Sequence, residues 1–161
     1  MLHFIVDGYN LINKIAEIKN LSLQDKRSYL IFLLEDFGRI MSLNNKISVV
    51  FDGKEDVISS EVLSKRIEVI FSKGESADLL IKKLVKNSPH PRNILVITED
   101  RAIISCVRSW GANSKKSSEF LKNLKRKLKK KEKKIEDNFK IDAFKAYQIT
   151  EELRRIWEEK Y

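Results

Sequence analysis

Four aspartates recur at similar places along the sequence. Asp7 ends the apolar run FIV, and Asp52 ends SVVF. Asp100 closes ILVITED with Glu99 before it, and Asp78 follows GESA at the start of a helical pattern. Each alone has an ordinary explanation. Asp7-Gly8 and Asp52-Gly53 suit turns, and Asp78 and Asp100 suit the first turn of a helix, where the dipole favours anions. Together they point to a chemistry. Two carboxylates about 4 Å apart repel by roughly 4 kcal/mol at an effective dielectric near 20, so a cluster needs protons or cations to hold it. Little His or Cys lies near these positions, which argues against zinc. All-oxygen donors suit Mg²⁺ or Mn²⁺, and such ions, held by a few acids and many waters, commonly handle phosphates.

Other chemistries lack their residues. There is no G-x-x-x-x-G-K-[ST] loop for a nucleotide triphosphate, no G-x-G-x-x-G after the first apolar run and no G-x-S-x-G elbow. A phosphatase with an aspartyl nucleophile wants a second Asp two residues after the first, and Tyr9 stands there. The two histidines, His3 in an apolar run and His90 between prolines, are poorly placed as general bases. Cys106 is the only cysteine, which excludes an intrachain disulfide and suits a reducing compartment, so a cytoplasmic location is expected. Its place in an apolar helical pattern predicts a buried structural thiol. The N-terminus lacks a basic region before its short apolar run, so no signal peptide is expected. No apolar run approaches the roughly 20 residues of a membrane span.

The elements that must position the acids alternate. Short apolar or β-branched runs at 2–6, 46–51, 66–71 and 93–98 predict strands. Between them, Ser22-Leu-Gln-Asp25 resembles a capping box opening a helix that carries Leu30, Leu33, Leu34, Phe37 and Met41 at helical spacing. A second helix is predicted over 74–86, stopped by Pro89 and Pro91, and a third after Glu99, closed by Gly111. A short edge strand is expected near 112–114. Strands separated by helices predict an α/β, Rossmann-like fold with a mostly parallel sheet flanked by helices. In such sheets ligands bind beyond the carboxyl ends of the strands, where Asp7, Asp52 and Asp100 fall. Asp78 joins them from the helix that starts on the same side.

The charge is uneven. The net is +9, and residues 122–134, KNLKRKLKKKEKK, hold nine Lys/Arg against one Glu; without them the chain is nearly neutral. Lys122, Lys125, Arg126, Lys127, Lys129, Lys130, Lys131, Lys133 and Lys134 are therefore candidate phosphate-binding cations. The default reading of such a run is a solvated helix face. No Gly or Pro follows Gly111, so the tail is free to be helical. Ile135, Phe139, Ala143, Ala146, Ile149, Leu153 and Ile156 form an amphipathic stripe that suits packing onto the domain or a homodimer contact. Tyr9 and Trp110 are aromatics able to stack on a base, although Trp110 also suits a core boundary.

The segments IVDGYNLI, VVFDG, IEVIFSKGESAD, VITEDRAI and WGANSKKSSEFL, in this order, resemble YacP-like NYN domains of the PIN-like ribonuclease superfamily. The motif resemblance covers roughly residues 2–124, which would be the nuclease domain, with 125–161 a basic, then amphipathic extension. It implies a PIN-like fold with an acidic pocket that binds one or two divalent ions and cuts RNA. Carried over by position, Asp7, Asp52, Asp78 and Asp100 would be the catalytic and metal-binding acids. Asn10, Glu75 and Glu99 would be supporting neighbours, and Ser76 and Thr98 would either orient a ligand or cap a helix, with capping the favoured expectation for both. Leu79 stands where an acid often follows the A-D pair, and Ile104 where a glutamine is common. The expected function is a metal-dependent endoribonuclease acting on messenger or ribosomal RNA, with the ribosome as a further candidate partner and no membrane. Its rivals are a non-catalytic RNA- or ribosome-binding module, an interaction protein that oligomerises through its last helix, and a toxin-like or DNA-cutting nuclease of the same superfamily.

Overall fold

The computed structural model describes residues 1–41, 44–53 and 67–131. The chain divides into two compact units, Met1–Lys125 and Arg126–Tyr161, and the sheet and all four aspartates belong to the first. The expected amphipathic stripe from Ile135 onward, with Lys133 and Lys134, lies outside the described residues.

Five strands, β1 (His3–Asp7), β2 (Lys46–Phe51), β3 (Ile67–Phe71), β4 (Ile94–Ile97) and β5 (Asn113–Lys115), form one sheet in the order β3-β2-β1-β4-β5. Every pairing is parallel. This is the α/β, Rossmann-like, PIN-like architecture expected from the sequence. The helices are α1 (Gly8–Ile12), α2 (Leu23–Arg39), α3 (Ala77–Lys86) and α4 (Arg101–Ser109), and residues 117–131 are helical again. The strand order reverses direction at β1, because β2 and β4 flank it on opposite sides. The crevice between the carboxyl ends of β1 and β4 is thus the topological switch point.

Alternation along the strands decides what reaches that crevice. Ile5, Val50, Ile94 and Val96 point into one core with Ala77, Ile81 and Val85 of α3 and Ile103 and Val107 of α4. Asp7, Asp52 and Thr98 continue the same parity and so belong to the α3/α4 face. Phe4 faces the other way, meeting Phe37 of α2 edge-on at 5.7 Å between ring centres and Phe120 at 6.4 Å. Phe120, Leu121 and Leu124 are buried, which docks the first turns of the helix from 117.

Small boundary differences have local causes. β1 runs one residue further than expected, to Asp7, because Asp7 still pairs in register with Val50. α3 starts only at Ala77, after Ser76 accepts the Leu79 N–H at its cap. A turn of 3₁₀ helix, Pro91–Asn93, delays β4 to Ile94. The Ser22 cap forms as expected, its hydroxyl accepting the Asp25 N–H at 3.1 Å and donating to the Asp25 carboxylate at 2.6 Å. Cys106 is half-buried, a departure from the expected buried thiol: Ile103 and Val107 take the inward positions of α4, and Cys106 falls beside that stripe.

Candidate active site

Asp7 is the centre of the crevice. It ends β1, caps the short helix α1 and is only 8% exposed. Both carboxylate oxygens are fixed. The Asn10 N–H donates to Oδ1 at 3.2 Å, and the Thr98 hydroxyl donates to Oδ2 at 2.9 Å from across the β1–β4 junction. Burial pushes the Asp7 carboxyl above the usual carboxylate range, and the negative charges of Asp78 and Asp100 push it further, against the pull of its two hydrogen bonds. Two acids remote in sequence from Asp7 and from each other therefore act on its carboxylate at the switch point.

Asp100 is the N-cap of α4. Its Oδ1 accepts the Ala102 N–H at 2.7 Å and the Ile103 N–H at 3.0 Å. Oδ2 makes no hydrogen bond among the described residues. Asp78, in the first turn of α3, is half-buried, and its carboxylate has no hydrogen bond or ion pair among the described residues. Asp52 behaves differently. It is exposed beyond the end of β2, its Oδ1 accepts the Ser72 hydroxyl at 2.9 Å, and it is absent from the charges acting on Asp7. Asp7 is in register with Val50, so Asp52 stands two residues further out along its strand.

The expected supporting residues make further contacts: besides the Asn10 N–H on Asp7, each side chain has a partner of its own. Asn10 is a three-way tie: its Oδ1 accepts the Glu99 N–H at 3.0 Å and the Ser117 hydroxyl at 3.3 Å. Glu99 caps the helix from 117, accepting the Ser118 N–H at 2.9 Å and its hydroxyl at 2.6 Å, and these bonds hold its carboxyl below the usual range. Glu75 is ion-paired with Lys83 on α3. Ser76 caps α3 as expected. Thr98 does not simply cap: fully buried, it holds Asp7 with its proton while its oxygen accepts the Asp100 N–H at 3.1 Å. One hydroxyl thus spaces two of the acids.

Tyr9 is not free to stack on a base. Its ring lies 5.2 Å from that of Phe51, and its hydroxyl accepts from the Arg27 guanidinium, including Nε at 2.9 Å. Arg27, 4% exposed, sits over the rings of Tyr9, Phe51 and Phe71 at 5.4–5.6 Å. Trp110 packs on the α3/α4 core. Of the basic run, Lys122, Arg126, Lys127, Lys129 and Lys130 are exposed, Lys131 is half-buried, and Lys125 is paired with Glu17.

The donor set suits a hard divalent ion: carboxylate oxygens, with those of Asp7 fixed on both sides. Among the described residues no group of three or more acidic, His or Cys side chains is arranged to hold a metal ion. Mg²⁺ sites of the phosphate-handling kind keep several waters and use one or two carboxylates directly, so Asp7 with Asp78 or Asp100 meets that requirement.

A family model for the YacP-like NYN domain matches residues 4–160. The match runs past residue 124, where the motif resemblance stops, and so includes the extension. The crystal structure of Rae1 (YacP) from Bacillus subtilis is similar, with TM-score 0.73, 26% identity, and coverage of 98% of this chain and 93% of that one. A tryptophan-to-leucine variant of that protein matches with TM-score 0.62 and 29% identity, covering 84% of this chain and 80% of that one. Comparison with curated proteins returns no match. Among the described residues no helix is long and apolar enough to cross a membrane.

Proposed function

We propose, since the chain belongs to the YacP-like NYN domain family of the PIN-like nuclease superfamily, that it is a metal-dependent endoribonuclease with its centre at Asp7. The observation that carries the reading is the hydrogen-bonded Asp7–Thr98–Asp100 arrangement at the switch point, with Asp78 acting on the same carboxylate. A bound Mg²⁺ or Mn²⁺ would neutralise these acids, activate an attacking water and stabilise charge on the leaving oxygen. Asp7 supplies the fixed anchoring carboxylate. Thr98 sets its orientation and holds the Asp100 backbone in place. Asp78 and Asp100 Oδ2, without a hydrogen-bond partner among the described residues, would contribute further oxygen. Asp52, further out, would hold waters or a second ion at the rim. No side chain serves as nucleophile, so water attack would leave a 5′-phosphate and a 3′-hydroxyl. The exposed lysines between 122 and 131 would attract RNA without reading its sequence.

The test is cleavage of labelled RNA in Mn²⁺ by the wild-type protein, Asp7→Asn and Asp100→Asn. Asn still caps a helix, so Asp100→Asn leaves α4 intact. Cleavage should fall by at least about 100-fold in both variants, which corresponds to roughly 2.7 kcal/mol of barrier, and should cease with EDTA. Cleavage that survives both substitutions sinks the catalytic reading. RNA binding without any metal-dependent cleavage by the wild type would favour the non-catalytic module.

A further inference from the structure

We infer that a basic groove on the outer side of α4 and β5 is a second RNA contact, a track for the phosphate backbone leading away from the Asp7 centre. Its RNA occupant rests on the proposed endoribonuclease function. The groove has a volume of about 500 Å³ and is lined by Arg101, Arg108, Lys115 and Lys116, with Ser105, Ser114 and Ile104 between them. Arg101, Ile104, Ser105 and Arg108 recur at helical spacing, so they share one face of α4. Arg101 follows Asp100 directly, which starts the track at the acidic crevice. Lys115 closes β5, and its carbonyl accepts the Thr98 N–H at 3.2 Å, so the groove's second wall also begins beside the site.

The charge balance selects the ligand. Four cations face one carboxylate, Glu119, which is paired with Lys115 at 3.1 Å. Among the described residues neither Arg101 nor Arg108 is in an ion pair; Arg108 is steadied by a 2.7 Å hydrogen bond to the Ser114 hydroxyl. Uncompensated cations in a concavity focus positive potential, which favours a polyanion. Arg101 and Arg108 are seven residues apart, about 10 Å along the helix axis, enough to meet more than one backbone phosphate. Guanidinium groups suit phosphate oxygens in two-pronged contacts, and Ile104 offers apolar surface to a sugar. None of its cations belongs to the lysine run at 122–134.

The experiment measures binding of a fluorescein-labelled single-stranded RNA by anisotropy, with EDTA present, across a range of KCl concentrations. All variants carry Asp7→Asn, so binding is read without cleavage. Each lost phosphate contact should reduce the salt slope by about 0.7 for a single strand. Arg101→Gln with Arg108→Gln should therefore lower it by about 1.4 and weaken binding roughly tenfold at moderate salt. Glu119→Gln should tighten binding several-fold by releasing Lys115. A wild-type slope in the double variant overturns the track. If the double variant fails to fold, unchanged affinity in Glu119→Gln overturns it. Cleavage in the Mn²⁺ assay that survives Asp7→Asn, beside a reduced slope in the double variant here, would refute the catalytic reading and leave the groove standing.

Discussion

Replacing Thr98 by valine removes one hydroxyl at almost constant shape, and the site makes its consequence specific. Two bonds are lost: the donor to Asp7 Oδ2 at 2.9 Å and the acceptor of the Asp100 N–H at 3.1 Å. The first involves a carboxylate, and such a bond contributes about 1.5–3 kcal/mol. In a chain of 161 residues a loss of that size lowers Tm by roughly 4–10 °C. The loss should depend on pH, and its sign follows from Asp7. The folded state already raises the Asp7 carboxyl, so it binds a proton more readily than the unfolded chain, and stability falls as pH rises through that range. Without Thr98 the ionised form loses a stabilising hydrogen bond and the carboxyl rises further. The gap between wild type and Thr98→Val should therefore be smallest in acid, where the pH-independent loss of the Asp100 N–H acceptor remains, and widen towards neutral pH. Urea denaturation between pH 4 and pH 8 measures it. Thr98→Ser, which keeps the hydroxyl, should follow the wild type. In an Asp7→Asn background the pH-dependent part of the gap should vanish. A stability difference that stays constant with pH would refute the claim that Thr98 acts on the charged form of Asp7.

Two further substitutions probe the frame around the site. Gly8→Ala would place a Cβ 2.3 Å from the Phe51 ring, which is fully buried between Tyr9 and Phe71 and cannot withdraw. It should cost about 1–3 kcal/mol, and a wild-type urea midpoint would show that the helix start shifts freely. At the other end of the sheet the Ser48 hydroxyl donates to Glu68 at 3.0 Å, so His3 Nε2 must donate to Ser48 at 2.8 Å. Burial and Lys46 hold the His3 imidazole below its ordinary value. The folded state thus resists protonation, and its stability is lost as pH falls below about 6.5. His3→Gln keeps a donor and removes the titration, so stability should decline less between pH 7 and pH 5; parallel profiles would count against this.

The strands were legible because each is a short apolar run bounded by turn residues, and β2 lies where the pattern places it, at 46–51. The acids were legible as a set because strands in a parallel sheet share one carboxyl edge. What the sequence could not show was which acids act on one another. Asp52 and Asp7 look equivalent in the chain, yet the register that sets Asp7 beside Val50 leaves Asp52 further out with Ser72. Thr98 reads locally as a helix-cap residue; its bond to Asp7 spans 91 positions and exists only once β1 and β4 pair. Arg27 looks like one more charge on an amphipathic helix, because Tyr9, Phe51 and Phe71 surround it only in the folded sheet. Glu99 and Asn10 follow the same logic. Their motif positions suggested ligand support, and tertiary pairing uses them to fasten the start of the helix from 117.

Asp7 is where folding and chemistry conflict most directly. A buried carboxylate near two others raises the free energy of the folded chain at neutral pH. The local structure does not relieve it. Asn10 and Thr98 fix both oxygens, and the strand end cannot turn them to solvent without breaking the β1–β4 junction. Neither hydrogen bond supplies positive charge, and the arginine nearest in sequence, Arg27, is held in its aromatic cage by Tyr9. A proton would satisfy Asp7 alone. On the proposed reading, a divalent cation held by Asp7 with Asp78 or Asp100 would offset more negative charge than a proton on Asp7 alone. If so, Mg²⁺ or Mn²⁺ should raise the melting temperature of the wild type and leave that of Asp7→Asn nearly unchanged, because binding to the folded state alone stabilises it by mass action. Equal shifts in both proteins would place the ion elsewhere and detach the strain at Asp7 from metal binding.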